Sequence, residues 1–389
     1  MKHVGAAAAV SLGLIGALAG CASPGSGIQS GEHVTVYVSM PLRGPDSGDG
    51  HDVVDGAKLA LADAQGRVGA LGVNAVYLDD TAGAGARTRW DPATTARNAR
   101  RAGEDSTAIA YLGDFASGAT RFSVPITNQA RMLQVSPASG AVDLVQPYLG
   151  AGDQVPENVQ PSGERTFGRV IPSDEVQGEA GAVWAKRLGS RRPLVSAGES
   201  AYDKLIASAF SEQARALGLH VANADRSTVI SDLLFAAIEG NELKPRAGLL
   251  RAIPRVMGTD ALLALASRGG LPSLGTNLMV TSAAQDPSQL PAAGQRFVRD
   301  FRRRYHRSPG RYAAYGYEAM AVVLDSIERA GDGGDDREAV VDSFFETSDR
   351  NSILGSYSID EVGNTTLDRL AGYRVVNGRP VFDTPLAAP

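Results

Sequence analysis

Residues 107–140, TAIAYLGDFASGATRFSVPITNQARMLQVSPASG, narrow the choice of fold more than any other stretch of the chain. They read as a short apolar strand (Ala108 to Leu112), a small-residue loop (Gly113 to Gly118) and an amphipathic helix. A second short strand (Met132 to Val135) and a second small-residue loop (Ser136 to Gly140) follow. Apolar runs this short, separated by a helix, suit consecutive strands of a parallel sheet buried on both faces. Ligands of open α/β sheets bind outside the carboxyl ends of the strands. Loops of Gly, Ala and Ser let a small polar ligand approach main-chain N–H groups closely. The same loops also read as two ordinary strand-to-helix turns, since Gly and Ser fill turns of every kind.

The rest of the chain repeats the alternation. Val34 to Met40 is the first strand, followed by a turn-rich loop, PLRGPDSGDG, and a helical stripe over Asp52 to Arg67. Val73 to Leu78 is the second strand. Asp91-Pro92 supplies an N-cap and a first-turn proline for a helix running to about Gly103. Right-handed crossovers and a parallel sheet follow from this order. Val142 to Arg165 is rich in Pro and Gly and reads as a surface excursion. The alternation then restarts: strands at Phe167 to Ile171, Leu194 to Ala197, Leu219 to Ala222, Asp232 to Ile238, Arg255 to Met257 and Asn277 to Ser282. Helices are expected at Glu175 to Leu188, Tyr202 to Leu217 and Glu242 to Ile253, with a further one capped by Thr259 or Asp260. Three more helices follow at Pro291 to Tyr305, Tyr312 to Ala330 and Arg337 to Phe345. The tail is β-rich, with Asn377-Gly378 as a hairpin turn. With 389 residues, 43% of them hydrophobic, the chain is long enough for two α/β units, each with a core of its own.

Val4 to Gly20 is apolar and small, with Lys2 as the early charge, which is the pattern of a secretory leader. Leu18-Ala19-Gly20-Cys21 resembles the bacterial lipobox, in which the cysteine is lipidated and becomes the mature N-terminus; the other reading is an ordinary cleaved leader with a chance cysteine. Cys21 is the single cysteine, so no internal disulfide can form and stability must come from the cores. Ala22 to Glu32 reads as a flexible tether. Net charge is −5 and no long basic stripe is present, which argues against nucleic-acid binding.

Catalytic templates are missing. There is no HExxH, no CxxC, no Gly-x-Ser-x-Gly elbow and no GxxxxGK[ST] loop, and the five histidines are scattered. No metal, cofactor or catalysis is expected. Binding asks for less: hydroxyls and main-chain amides for an anionic end, a carboxylate for a cationic end, and an aromatic wall. Asp114, Ser117, Ser136 and Ser139 stand at strand ends of the first unit, and Tyr202, Glu239 and Asp260 at those of the second. Tyr202 also reads as a plain helix start, Glu239 as a solvated carboxylate and Asp260 as a helix cap.

Taken together, these pieces resemble the type I periplasmic binding proteins, specifically the Leu/Ile/Val-binding family of ABC-transporter solute receptors. The matching residues are Pro41-Leu42, Gly44, Gly50 and Gly56-Ala57; Tyr111-Leu112-Gly113 with Ser117; and Val135-Ser136-Pro137-Ala138-Ser139. Further along come Ile171-Pro172-Ser173-Asp174 with Gln177-Gly178, then Tyr202, and finally Pro309, Tyr312, Ala313 and Gly316-Tyr317-Glu318-Ala319. The resemblance implies an α/β fold of two Rossmann-like lobes joined by three crossovers, with the ligand cleft between the lobes. Lobe one would take 33–168 plus 282–353 and lobe two 169–281 plus 354–389, after a leader over 1–20 and a tether over 21–32. It implies that Ser117, Ser139 and Gly140 receive an amino acid's carboxylate, that Tyr202 is the aromatic contact and that Asp260 takes the ammonium. It also implies an extracytoplasmic receptor, lipid-anchored through Cys21, acting as a monomer and delivering an amino acid or similar polar solute to an ABC permease. A sensor using the same clamp, and an enzyme or envelope-assembly protein that kept the fold without the ligand, are the alternatives. The chain departs from the family at Asp203, at Ser139-Gly140 and at Asp114, which places a negative charge beside the implied carboxylate site.

Overall fold

The computed structural model describes residues 33–83, 88–147, 157–223, 231–238, 243, 245–267 and 278–389. The leader, the tether, Cys21 and Glu239 lie outside the described residues.

Two sheets organise the chain. The first is built from β1 (His33–Met40), β2 (Arg67–Val68), β3 (Leu71–Asp79), β4 (Ala108–Leu112), β5 (Leu133–Ser136) and β6 (Phe167–Arg169), in the order β2-β3-β1-β4-β5-β6. All pairings are parallel except that of the two-residue edge strand β2 with β3. Between the strands run α1 (Ser47–Asp63), α2 (Pro92–Glu104) and α3 (Ser117–Gln129). The second sheet holds β7 (Pro193–Ala197), β8 (Ala222–Asn223), β9 (Leu233–Ala237), β10 (Val256–Gly258), β11 (Leu278–Ser282), β14 (Arg369–Val376) and β15 (Arg379–Ala387). Its order is β15-β14-β11-β10-β9-β7-β8, with the last two strands of the chain antiparallel at one edge. Helices α4 (Asp174–Arg187), α5 (Ala201–Ala216), α6 (Ala247–Ala252) and α7 (Asp260–Ser267) belong to this unit. A small antiparallel ladder, β12 (Arg350–Asn351) with β13 (Ser356–Tyr357), stands apart.

The chain crosses between the units three times. It leaves the first sheet after β6 and returns after β11 through α8 (Ala292–Tyr305), α9 (Ala313–Arg329) and α10 (Arg337–Phe345). It departs again to form the hairpin β14–β15. The returning helices are fastened to the first unit by specific bonds. Tyr305 Oη donates to the carbonyl of Asp55 at 2.8 Å, and Arg337 donates to the carbonyls of Ala108 and Asp105, both at 2.8 Å.

Glycines in the family-like segments mark close helix crossings. A β-carbon on Gly56 of α1 would strike the Ala313 carbonyl, and one on Gly316 of α9 would strike the main chain of Val53. In the second unit, a β-carbon on Gly178 of α4 would strike the Ile206 carbonyl and crowd the Phe210 nitrogen of α5. Glycine is needed at these points because the two backbones meet without room for a side chain.

Two expectations require correction. The first helix begins at Ser47 rather than near Asp52: Gly50 lies in its first turn, where a β-carbon would strike the Pro41 carbonyl of the preceding loop. The stretch after Val142 is not wholly a surface excursion. Val142, Leu144, Val145 and Val159 are buried, and Leu144, Val145 and Val159 join Val124 and Phe167 in a small core. The short apolar run Val142 to Val145 and the lone Val159 are too brief to carry a period, so only the tertiary packing reveals them.

Candidate functional site

In the first sheet, β1 lies between β3 and β4, so the chain runs to one side of β1 and then to the other. In the second sheet, β7 lies in the same way between β8 and β9. Crevices open at the carboxyl ends of strands where the winding reverses. The loops that flank them are 41–46 and 113–116 in the first unit, and the loop running through Ser200 in the second.

The β4 and β5 loops are stitched into one bed. Ser136 Oγ donates to the Asp114 carbonyl at 2.8 Å and accepts the Ser139 N–H at 2.9 Å. Ser139 Oγ donates to the same carbonyl at 3.0 Å and pairs with Thr120 Oγ1 at 2.6 Å. Both serines are fully buried, so their hydroxyls build the bed. The Asp114 side chain points into the protein, where Tyr111 Oη and Ser123 Oγ donate to it at 3.1 and 2.5 Å. Burial raises its carboxyl above the ordinary range, as it does that of the neighbouring Asp80, whose two oxygens have no hydrogen-bond partner among the described residues. Ser117, the first residue of α3, is half-buried and accepts the Ala141 N–H at 3.2 Å.

Over this bed stands Trp90, whose indole occupies the space a β-carbon at Gly118 would need and lies 5.6 Å from the half-exposed Phe122 ring. Arg89, beside it, is paired with the buried Asp46 at 2.5 Å. Against the cost of its burial, Asp46 holds the guanidinium firmly charged, with further contributions from Asp260 and Tyr312. Tyr312 packs edge-on against Phe115 of the β4 loop, centroids 4.8 Å apart.

On the second unit, Ser200 caps α5 by accepting the Asp203 N–H at 3.1 Å, which sets Tyr202 in the first turn. The Tyr202 hydroxyl donates to Asp260 Oδ1, and burial, then Asp260 and Asp174, keep that phenol protonated. Gln177 lies 3.4 Å from the same hydroxyl and donates to the Thr281 carbonyl at 2.9 Å, tying α4 to β11. Asp260 is the first residue of α7 and its carboxylate is taken up by Tyr202.

The two units meet at Gly140 and Asp174. The Asp174 N–H donates to the Gly140 carbonyl at 2.9 Å, and a β-carbon on Gly140 would strike Asp174 Oδ1. Thus Ser117 and Gly140 are adjacent through Ala141, and Tyr202 and Asp260 are bonded to each other. The structure turns the carboxyl of Asp114 and the hydroxyls of Ser136 and Ser139 inward. Beside these residues stand Trp90 at Gly118, Arg89 with Asp46, and Asp174 at Gly140. Trp90 directly precedes the Asp91-Pro92 helix start, so the sequence shows it only as a loop aromatic. Asp174 lies within a family-like segment, but nothing in its spacing marks a cleft residue. Among the described residues no group of His, Cys, Asp or Glu is arranged to hold a metal ion, and no helix is long and apolar enough to cross a membrane.

Solved structures match this architecture along nearly their whole length. A leucine-binding protein LivK from Thermotoga maritima shares 24% identity over 91% of this chain and 99% of its own, with a TM-score of 0.69. The fold is that of the type I periplasmic binding proteins. Other structures with this type I fold are an ABC-transporter substrate-binding protein from Desulfitobacterium hafniense, solved with Leu, and a solute-binding protein from Rhodopseudomonas palustris BisB5, solved with 3,4-dihydroxybenzoic acid. The first shares 19% identity over 90% of this chain and 100% of its own (TM-score 0.71); the second shares 16% over 92% and 98% (TM-score 0.68). No protein-family model and no curated protein matches the chain.

Proposed function

We propose that this chain is the extracytoplasmic solute-binding component of an ABC transporter and clamps an amino acid or similar small polar solute between its two lobes. The observation that supports the reading is the pair of like-wound sheets, with Ser117 beside Gly140 at the strand ends of one unit and Tyr202 bonded to Asp260 in the other; in this proposal the four face one solute. The proteins of this fold solved with leucine or an aromatic acid support the same reading. The lobes divide at the crossings, close to 33–168 plus 282–353 and 169–281 plus 354–389. Hinge bending at these three strands closes the clamp. Binding requires no metal and no covalent step. The mature protein begins at Cys21, is held to the membrane by lipid on that residue, acts as a monomer and hands its solute to a permease.

A thermal-shift screen of the purified protein against amino acids, amides, ureas, polyamines, sugars and aromatic acids tests this. A solute at a thousand times its dissociation constant adds about 4 kcal/mol to stability, a shift of several degrees. A hit confined to one chemical class is the expected result. Silence across every class contradicts the reading.

A further inference from the structure

We infer that the buried space between the carboxyl end of β3 and the first turn of α2 binds one small monovalent cation, of sodium's kind, through the Asp80 carboxylate and the Thr95 hydroxyl. Both residues are fully buried. Both Asp80 oxygens and Thr95 Oγ1 lack a hydrogen-bond partner among the described residues. Main-chain bonds bring the two residues together. The Asp80 N–H donates to the Met40 carbonyl at 3.2 Å, so the pairing of β3 with β1 continues through it. The Asp80 carbonyl accepts the Asp91 N–H at 2.8 Å, and the Asp91 carbonyl accepts the Thr95 N–H at 2.9 Å. Val76 and Leu78 pack against the cluster that holds Tyr37 and Ala99, and strand alternation turns Asp80 to that same face. Close to one turn beyond Thr95, Asn98 Nδ2 donates to Ser39 Oγ at 3.1 Å and to the Asp79 carbonyl at 3.0 Å, which fixes this side of α2 against the ends of β1 and β3.

Among the described residues no Lys or Arg pairs with Asp80. Arg43 is bonded to Asp79 and Arg89 to Asp46, and α2 gives its Thr94 N–H to Asp91. The charged side chains that act on Asp80 are Asp114, Asp79 and Asp46, all of them acids. A buried charge is paired or coordinates a metal ion, because a bare one is costly in a dry interior. The open donors are oxygens, one carboxylate and one hydroxyl, which suits a hard cation. Asp114 offers no second open carboxylate, since Tyr111 and Ser123 donate to its two oxygens. One open carboxylate is balanced by a single positive charge. Calcium calls for about six to eight oxygens, and magnesium keeps several waters around it. The described residues hold no cluster of three or more His, Cys, Asp or Glu suited to such an ion.

The test is thermal melting of the desalted, solute-free protein in choline chloride and in sodium chloride at equal ionic strength, with the linewidth of the sodium NMR signal as a direct readout of binding. Sodium is expected to raise the melting temperature by several degrees over choline, with an effect that saturates, and the protein should broaden the sodium signal. Asp80→Asn should abolish both effects and should melt in choline chloride no lower than the wild type, since it removes the uncompensated charge and keeps the shape. Thr95→Val should weaken sodium by about threefold or more. Identical wild-type curves in the two salts overturn the site, as a proton held on Asp80 would produce, and they decide the matter even if the variants fold poorly. A sodium effect that survives in Asp80→Asn places the ion elsewhere and overturns the assignment. Calcium chloride that stabilises more than sodium chloride at equal ionic strength overturns the monovalent charge. Because no solute is present, none of these outcomes depends on the solute clamp.

Discussion

The main-chain N–H of Asp174 donates to the Gly140 carbonyl at 2.9 Å, and the carboxylate of the same aspartate lies against the glycine's Cα. One residue at the start of α4 thereby closes the loop after β5 from the other unit, and it does so only because position 140 has no side chain. Gly140→Ala should cost about 1–3 kcal/mol by forcing the two segments apart. Urea denaturation of the variant checks this; an unchanged midpoint would show that the loop yields freely.

The α1–α9 crossing depends on a glycine as strictly. A β-carbon at Gly316 would meet the Val53 carbonyl, Cα and carbonyl carbon together. Gly316→Ala is expected to destabilise by about 1–3 kcal/mol, more than an alanine at the open Gly48, where nothing lies within 4 Å. Equal effects at the two positions would contradict the packing account.

Stability should fall as pH rises through the neutral range. Burial, above all, raises the carboxyls of Asp80 and Asp114, and it raises that of Asp174 to about 7. Near pH 4 to 7 the folded protein therefore holds protons that the unfolded chain, with ordinary carboxyls, has released. The proton difference then disfavours folding as pH increases. The solute-free protein should melt higher at pH 5.5 than at pH 8, and Asp114→Asn should reduce that difference. A melting temperature that climbs with pH over this window would refute the assignment.

Tyr202→Phe removes the donor to Asp260 while keeping the ring. Solute affinity should drop by about 0.5–1.5 kcal/mol, read by calorimetry against an unchanged far-ultraviolet spectrum. Undiminished affinity would make Tyr202 a structural residue of α5.

The sequence is most readable where local chemistry and tertiary packing agree. Asp91 accepts the Thr94 N–H at 2.8 Å and Pro92 opens α2, as an Asp-Pro pair dictates. The strand Ala108–Leu112 and the helix Arg337–Phe345 occupy the spans their apolar patterns mark. Site residues are less readable, because a serine at a strand end looks the same whether its hydroxyl faces a solute or stitches two loops. Ser136 and Ser139 do the second, through the Asp114 carbonyl. Asp174 is the reverse case: its position depends on Gly140, 34 positions earlier in the chain, and no local pattern records a contact of that separation. Val145 and Val159 are unreadable for the same reason, lying in stretches too short to show a period and brought together only by α3 and β6.

Closure on a solute is the central claim, and small-angle X-ray scattering of the purified protein, alone and with the solute that most raises its melting temperature, tests it most directly. The account predicts a smaller radius of gyration with the solute at saturation, as the lobes bend together about the three crossings. An unchanged radius while calorimetry records full binding would contradict it.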